Sequence, residues 1–171
     1  MFTQNGYSPC DQYFLKGVDI IQSCLQVKGC VHQFYFVDMR VCCLPAVCPD
    51  NLLGQIVRQN TVLICEDKLL PLALFYIKHH MNVVAVYSSR TPIDVLVQSL
   101  LKWSPEEQIL RIRARSIEIL TRTEANILGR FGLGLAGEKA GLKESETKTI
   151  YSHERSIARK FGRKKFHNIF G

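Results

Sequence analysis

Three short runs of β-branched and aromatic residues constrain the fold of this chain most: "VHQFYFV" (31–37), "TVLIC" (61–65) and "NVVAVY" (82–87). Each is nearly continuous in apolar residues rather than alternating, the pattern of a strand buried on both faces. Helix-start signals lie between and around them. Asp50 follows Pro49 and can cap "NLLGQIV"; in "TPIDVLVQSLL" Thr91 stands as N-cap, with Pro92 and Asp94 in the first turn. Strand and helix in alternation imply a parallel α/β sheet over residues 1–103.

After Trp103 the pattern changes. "SPEE" (104–107) has the form of a capping box with Pro at the first helical position, so Ser104 is expected to open a linker helix over 104–118. "TRTE" (121–124) is a second capping box, opening a helix that buries Ile127, Leu128 and Phe131 and stops in "GLGLAG". A further helix is expected from Ser145 or Glu146. The expected order is therefore an α/β domain, a linker helix, and an all-α domain over 119–171.

Charge divides the same way. Residues 1–100 hold 7 Lys+Arg and 7 Asp+Glu, while residues 101–171 hold 15 and 8, so the whole formal charge of +7 belongs to the second part. A basic end joined to a neutral end points to a polyanion-binding part and a part with another task. The longest apolar run, "LLPLALFYI" (69–77), is too short to cross a bilayer, and "MFTQNGYSPC" lacks a basic start followed by an apolar stretch. The chain reads as cytoplasmic, with no membrane partner.

The seven cysteines, Cys10, Cys24, Cys30, Cys42, Cys43, Cys48 and Cys65, all precede residue 66. "CCLPAVC" with Cys30 and His32 lacks a paired CxxC spacing, so these read as reduced thiols in a core, with no metal and no cofactor. "KHH" (78–80) reads as solvent-facing histidines at a helix end. "GRFGLGLAG" lies between helices rather than after a strand, so it is not a dinucleotide loop. Nothing here points to an enzyme. A thiol or metal sensor built on the cysteines is the remaining rival of that kind.

"KTIYSHERSIARKFGRKK" (148–165) carries seven Lys or Arg and one Glu, yet Ile150, Ile157 and Phe161 fall on one helical stripe. A helix with a buried stripe and a cationic remainder, preceded by a helix and a glycine-containing connection, fits a helix-turn-helix whose second helix enters the major groove of DNA.

"LTRTEANIL" followed by "TKTIYSHERSIARKF" resembles the LuxR/FixJ-type DNA-binding domain, with its L-T-x-x-E and T-V-x-x-H-x-x-x-I-x-x-K-L pattern, and most of all the RcsA-like branch of auxiliary regulators. Thr149, Ile150, His153, Ile157, Lys160 and Phe161 match in register. The resemblance covers about residues 119–170. It implies base reading by Tyr151, Ser152 and Arg155 and phosphate contacts from Lys148, Thr149, Arg159, Lys160 and Arg163, with His153 a packed structural residue. The connection "GLAGEKAGLKESE" is shorter and richer in glycine than the family's, which favours binding with help from a partner.

The family often carries a receiver before this domain, and residues 1–103 resemble a shortened one. Asp38, ending "FYFVD", takes the phosphoacceptor place. Phosphoryl transfer there also needs an acidic pair for Mg²⁺ and a lysine, where this chain offers Gln4 and Asn5, and Ser88 and Ser89. The expectation is a degenerate receiver serving as an interaction module, with Tyr87 and residues 91–102 as partner surface. The implied function is a transcriptional regulator that is not controlled by phosphorylation. It would bind double-stranded DNA as a homodimer or beside a related LuxR-type regulator. The alternative is a protein that sequesters such a regulator without sequence-specific DNA binding of its own.

Overall fold

The computed structural model describes residues 12–49, 60–112, 117–132 and 144–169. The three expected strands are present as β1 (Tyr35–Met39), β2 (Thr61–Cys65) and β3 (Val83–Ser88). A fourth, β4 (Ile109–Arg111), completes a sheet of order β1-β2-β3-β4 in which every neighbouring pair is parallel. Parallel neighbours need crossovers, supplied here by α2 (Leu44–Val47) and the chain that follows it, α3 (Leu70–His79) and α4 (Ile93–Leu101). The other helices described are α1 (Gln12–Val27), α5 (Arg122–Gly132) and α6 (Glu144–Lys160), followed by a 3₁₀ turn at Phe166–Ile169.

The near-continuous apolar runs follow from burial on both faces of the sheet. Leu63, pairing with Val37 and Val86, belongs to a core with α2 and α3. Val62, pairing with Phe36 and Ala85, faces a second core built with Ile21 and Leu25 of α1 and Leu96, Val97 and Leu100 of α4. Every residue of β3 is buried.

Several sequence expectations are corrected. Residues 104–107 form a turn rather than the start of a linker helix. Glu107 N–H donates to the Ser104 carbonyl at 3.0 Å, and Trp103 Nε1 donates to the Glu107 carbonyl at 2.7 Å. The Gln108 amide then donates to the Ile77 and Val83 carbonyls at 2.9 and 3.3 Å, which brings Ile109 to the edge of β3. A boundary at residue 103 therefore cuts off the last strand of the sheet, which ends at Arg111, while β3 ends at Ser88 as its sequence implies.

Tyr87 is fully buried, with its hydroxyl 2.5 Å from Ser99 Oγ, so it lies in the core of the α/β part and not on a partner surface. Thr91 is not the N-cap of α4. That helix begins at Ile93 with Pro92 at the cap and no side-chain cap hydrogen bond. The basic helix opens at Glu144, one residue ahead of the expected Ser145 or Glu146.

No separate all-α unit is present among the described residues. Leu120, Ala125 and Leu128 of the α5 region, Ile157, Ala158 and Phe161 of the α6 region, and Phe166 and Ile169 belong to the same buried cluster as Met39, Leu44, Leu63 and α3. The C-terminal helices thus close over one face of the α/β layer. The expected helix at Asp50, the connection over 133–143, Cys10, Gln4 and Asn5 lie outside the described residues.

Candidate nucleic-acid interface

Both helices of the basic part are built by local signals. "TRTE" forms the reciprocal box its sequence implies: Thr121 N–H donates to Glu124 Oε2 at 2.7 Å, and Glu124 N–H donates to Thr121 Oγ1 at 3.2 Å. At the other end of the pair, α6 stops at Gly162, whose φ of 65° is left-handed. Gly162 N–H donates to the Arg159 carbonyl and Arg163 N–H to the Ala158 carbonyl, the two bonds of a Schellman cap. That turn sends Arg163 and Lys164 back along the helix end.

On α6, Ile157 and Phe161 are buried and Ile150 is half-buried; Glu154 is also buried on this stripe, one turn before Ile157. The opposite stripe runs Ser152, Arg155, Ser156, Arg159 and Arg163 at helical spacing. With Lys164 these residues line an open cleft of about 390 Å³. Four of its six lining residues are cationic. A concave wall of guanidinium groups and hydroxyls suits phosphate oxygens, and Arg155 can fork onto the O6 and N7 of guanine.

The residues expected to meet DNA divide into four groups in the structure. Tyr151, Ser152 and Arg155 are exposed, Tyr151 by 66%, and Lys148 and Thr149 are exposed one turn earlier. Arg159 is exposed but engaged: its Nη1 and Nη2 donate to the two carboxylate oxygens of Glu118, each at 2.8 Å. Lys160 is not placed for phosphate at all. Its side chain is buried, and Nζ donates to Glu124 Oε2 at 2.6 Å and to the Ile119 carbonyl at 2.9 Å. Arg163 is half-buried at the cleft. Ser156 and Lys164, which the sequence reading passed over, belong to it. The signal for Ser156 was the i, i+4 spacing from Ser152, and that for Lys164 the glycine stop at 162.

The Glu124 carboxyl has opposing influences on it. Burial works to raise its pKa, but hydrogen bonds from Lys160, the Thr121 N–H and Ser156, with the Lys160 charge, hold it below the ordinary glutamate value. Ser156 therefore joins the cleft wall to the buried pair.

At the strand ends, Asp38 is buried and closely held. Its carboxylate accepts from Arg40 Nε and Nη2 at 2.9 and 2.6 Å, from the Arg40 N–H at 3.1 Å, and from the Cys43 thiol at 3.5 Å. Burial raises the Asp38 carboxyl above its usual range, against the Cys43 and Arg40 N–H hydrogen bonds. Glu66, after β2, accepts from the Val41 N–H. Among the described residues no group of three or more His, Cys, Asp or Glu side chains converges in a metal-holding arrangement, and no helix is long and apolar enough to cross a membrane.

No protein-family model matches this chain, and no curated protein or solved structure matches it. The fold defines an α/β chain with a basic C-terminal helix closing over one face.

Proposed function

We propose that this protein is a cytoplasmic DNA-binding transcriptional regulator of LuxR/FixJ type, acting as a pair with itself or with a related regulator, and not controlled by phosphorylation. The observation that carries the reading is the stripe of Ser152, Arg155 and Arg159 beside exposed Tyr151, on a helix whose other side is buried. Arg155 with Tyr151 and Ser152 supplies base-edge contacts, and Lys148, Thr149, Arg159, Arg163 and Lys164 supply the backbone contacts that set register. Two such helices spaced about one DNA turn apart turn weak single-helix binding into specific binding. The engagement of Asp38 by Arg40 and Cys43 supports a receiver-like part that holds no phosphoryl group.

A second reading is favoured by one observation: Lys160 and Arg159 already hold protein carboxylates. A protein with its cations so engaged suits sequestration of a related regulator without a preferred DNA site. Selection from a random DNA library with wild type and Arg155→Ala separates the two. The regulator reading expects a motif that Arg155→Ala relaxes at one position, and affinity falling with salt at a slope of roughly −0.9 per phosphate contacted. Binding that is salt-sensitive but motif-free sinks it.

A further inference from the structure

We infer that the outer side of α1 is the surface through which two copies of this chain pair, with the helices antiparallel and Ile20 at the two-fold axis. α1 carries two adjacent apolar seams. Phe14, Val18, Ile21 and Leu25 face the chain's own core. Tyr13, Gly17, Ile20, Cys24 and Val27 repeat at alternating spacings of four and three, the periodicity of a helix seam that meets another helix, with Cys24 at its inner edge partly packed against the chain's own core. The large members of that second seam are open to solvent: Tyr13 is 85% exposed, Ile20 52% and Val27 86%.

Three features select a second copy as the occupant. Tyr13 and Val27 lie equally far along the chain on either side of Ile20. A two-fold through Ile20 therefore sets Tyr13 on the partner's Val27, Ile20 on Ile20, and Gly17 near the partner's Ser23 and Cys24, all small at the point of closest approach. This self-complementarity is what an isologous interface requires. Second, glycine is the least favourable residue within a helix after proline, yet a Cβ at Gly17 would meet nothing within 4 Å among the described residues. Among them its smallness serves no contact. Third, the helix carries only Lys16 and Asp19 as charged residues, which cancel, beside Gln12, Gln22, Ser23 and Gln26. The centre of a protein interface is depleted of charge in this way.

α4 packs beside α1 on the same sheet face and adds Ile93 and Val95, 41% and 42% exposed. The exposed parts of Tyr13, Ile20, Val27, Ile93 and Val95 sum to on the order of 500 Å² per chain, against about 800 Å² per partner in a stable interface. The rim of polar α1 residues supplies the remainder.

The inference goes beyond the nucleic-acid reading and is tested without DNA, so either can fail while the other stands. Full-length protein at tens of micromolar is measured by sedimentation velocity, as wild type, Ile20→Glu and Tyr13→Ser. The expected result is a wild-type dimer whose dissociation constant rises at least tenfold in both variants, with an unchanged far-UV circular dichroism spectrum because neither side chain belongs to the chain's own core. Gly17→Ala is expected to weaken the dimer although alanine is the better helix former. A monomeric wild type overturns the proposal and leaves the seam to another protein or another segment of the chain. A dimer that survives both Ile20→Glu and Tyr13→Ser overturns it as well, by placing the contact elsewhere.

Discussion

Lys160 Nζ lies 2.6 Å from Glu124 Oε2, both side chains at least nine-tenths buried, and joins the last turn of α6 to the first turn of α5. A single removal leaves the other charge buried without its partner. Lys160→Met is expected to cost about 3 kcal/mol, and Lys160→Met with Glu124→Leu to recover much of that loss. Urea titration of wild type and the two variants checks it; a single substitution costing under about 1 kcal/mol contradicts the buried pair.

The same pair sets an acid dependence. A carboxyl held below its unfolded value binds its proton less tightly in the folded state. Its stabilisation is complete above the ordinary glutamate value of 4.5 and is lost as pH falls through the lower folded value. Asp38, raised by burial, contributes with the opposite sign, so the comparison must isolate Glu124. The melting temperature of wild type should fall more steeply below pH 4.5 than that of Glu124→Gln. Parallel curves would remove Glu124 from the acid transition.

What could be read from the sequence follows the range over which each feature is determined. The "TRTE" box is legible because its two hydrogen bonds close within four residues, and β2 because its five residues are apolar without interruption. β4 is three residues long and mostly exposed. It is a strand because Gln108 reaches back to Ile77 and Val83, a relation no local pattern contains. "SPEE" carries a helix-start signal that this pairing overrides. Lys160 sits in a basic run and looks like a phosphate ligand; only the fold brings Glu124, 36 positions away, to its ammonium. Tyr87 is misjudged for the same reason, since Ser99 receives its hydroxyl from the next helix.

Thr121 offers a direct measure of the box. Thr121→Ala removes the acceptor for the Glu124 N–H and is expected to cost about 1 kcal/mol, a fall of a few degrees in melting temperature for a chain of this size. Thr121→Ser should restore most of it. Equal melting of the alanine and serine variants would show that the hydroxyl is not caping α5.

The cysteines differ sharply in setting. Cys42 is exposed, whereas Cys48 and Cys65 are buried. Burial, then the Asp38 charge, pushes the Cys43 thiol up to about 12, and burial with the Asp67 and Glu66 charges raises Cys65 further. Iodoacetamide at pH 8 should therefore label Cys42 well before Cys43, and reach Cys48 and Cys65 only on unfolding. Rapid labelling of Cys43 would restore the thiol-sensor reading, because it would require a thiolate that this environment disfavours.

Glu118 competes with any polyanion for Arg159. The pair is exposed, so its own contribution to stability is at most about 1 kcal/mol, and Glu118→Gln should melt close to wild type. Its effect on binding is larger. Removing the carboxylate frees a bidentate guanidinium in the middle of the basic stripe and removes a negative charge beside the cleft. Glu118→Gln is expected to tighten DNA binding by about threefold to tenfold at low salt and to steepen the salt slope by up to about 0.9, the share of one additional phosphate. Arg159→Ala should abolish most of that gain, since the released guanidinium is its main source and only the lost carboxylate charge remains. Fluorescence anisotropy with a labelled duplex at several salt concentrations reads both quantities. Unchanged affinity in Glu118→Gln would mean that Arg159 does not face the nucleic acid, and would move the contact surface toward Tyr151 and Lys148.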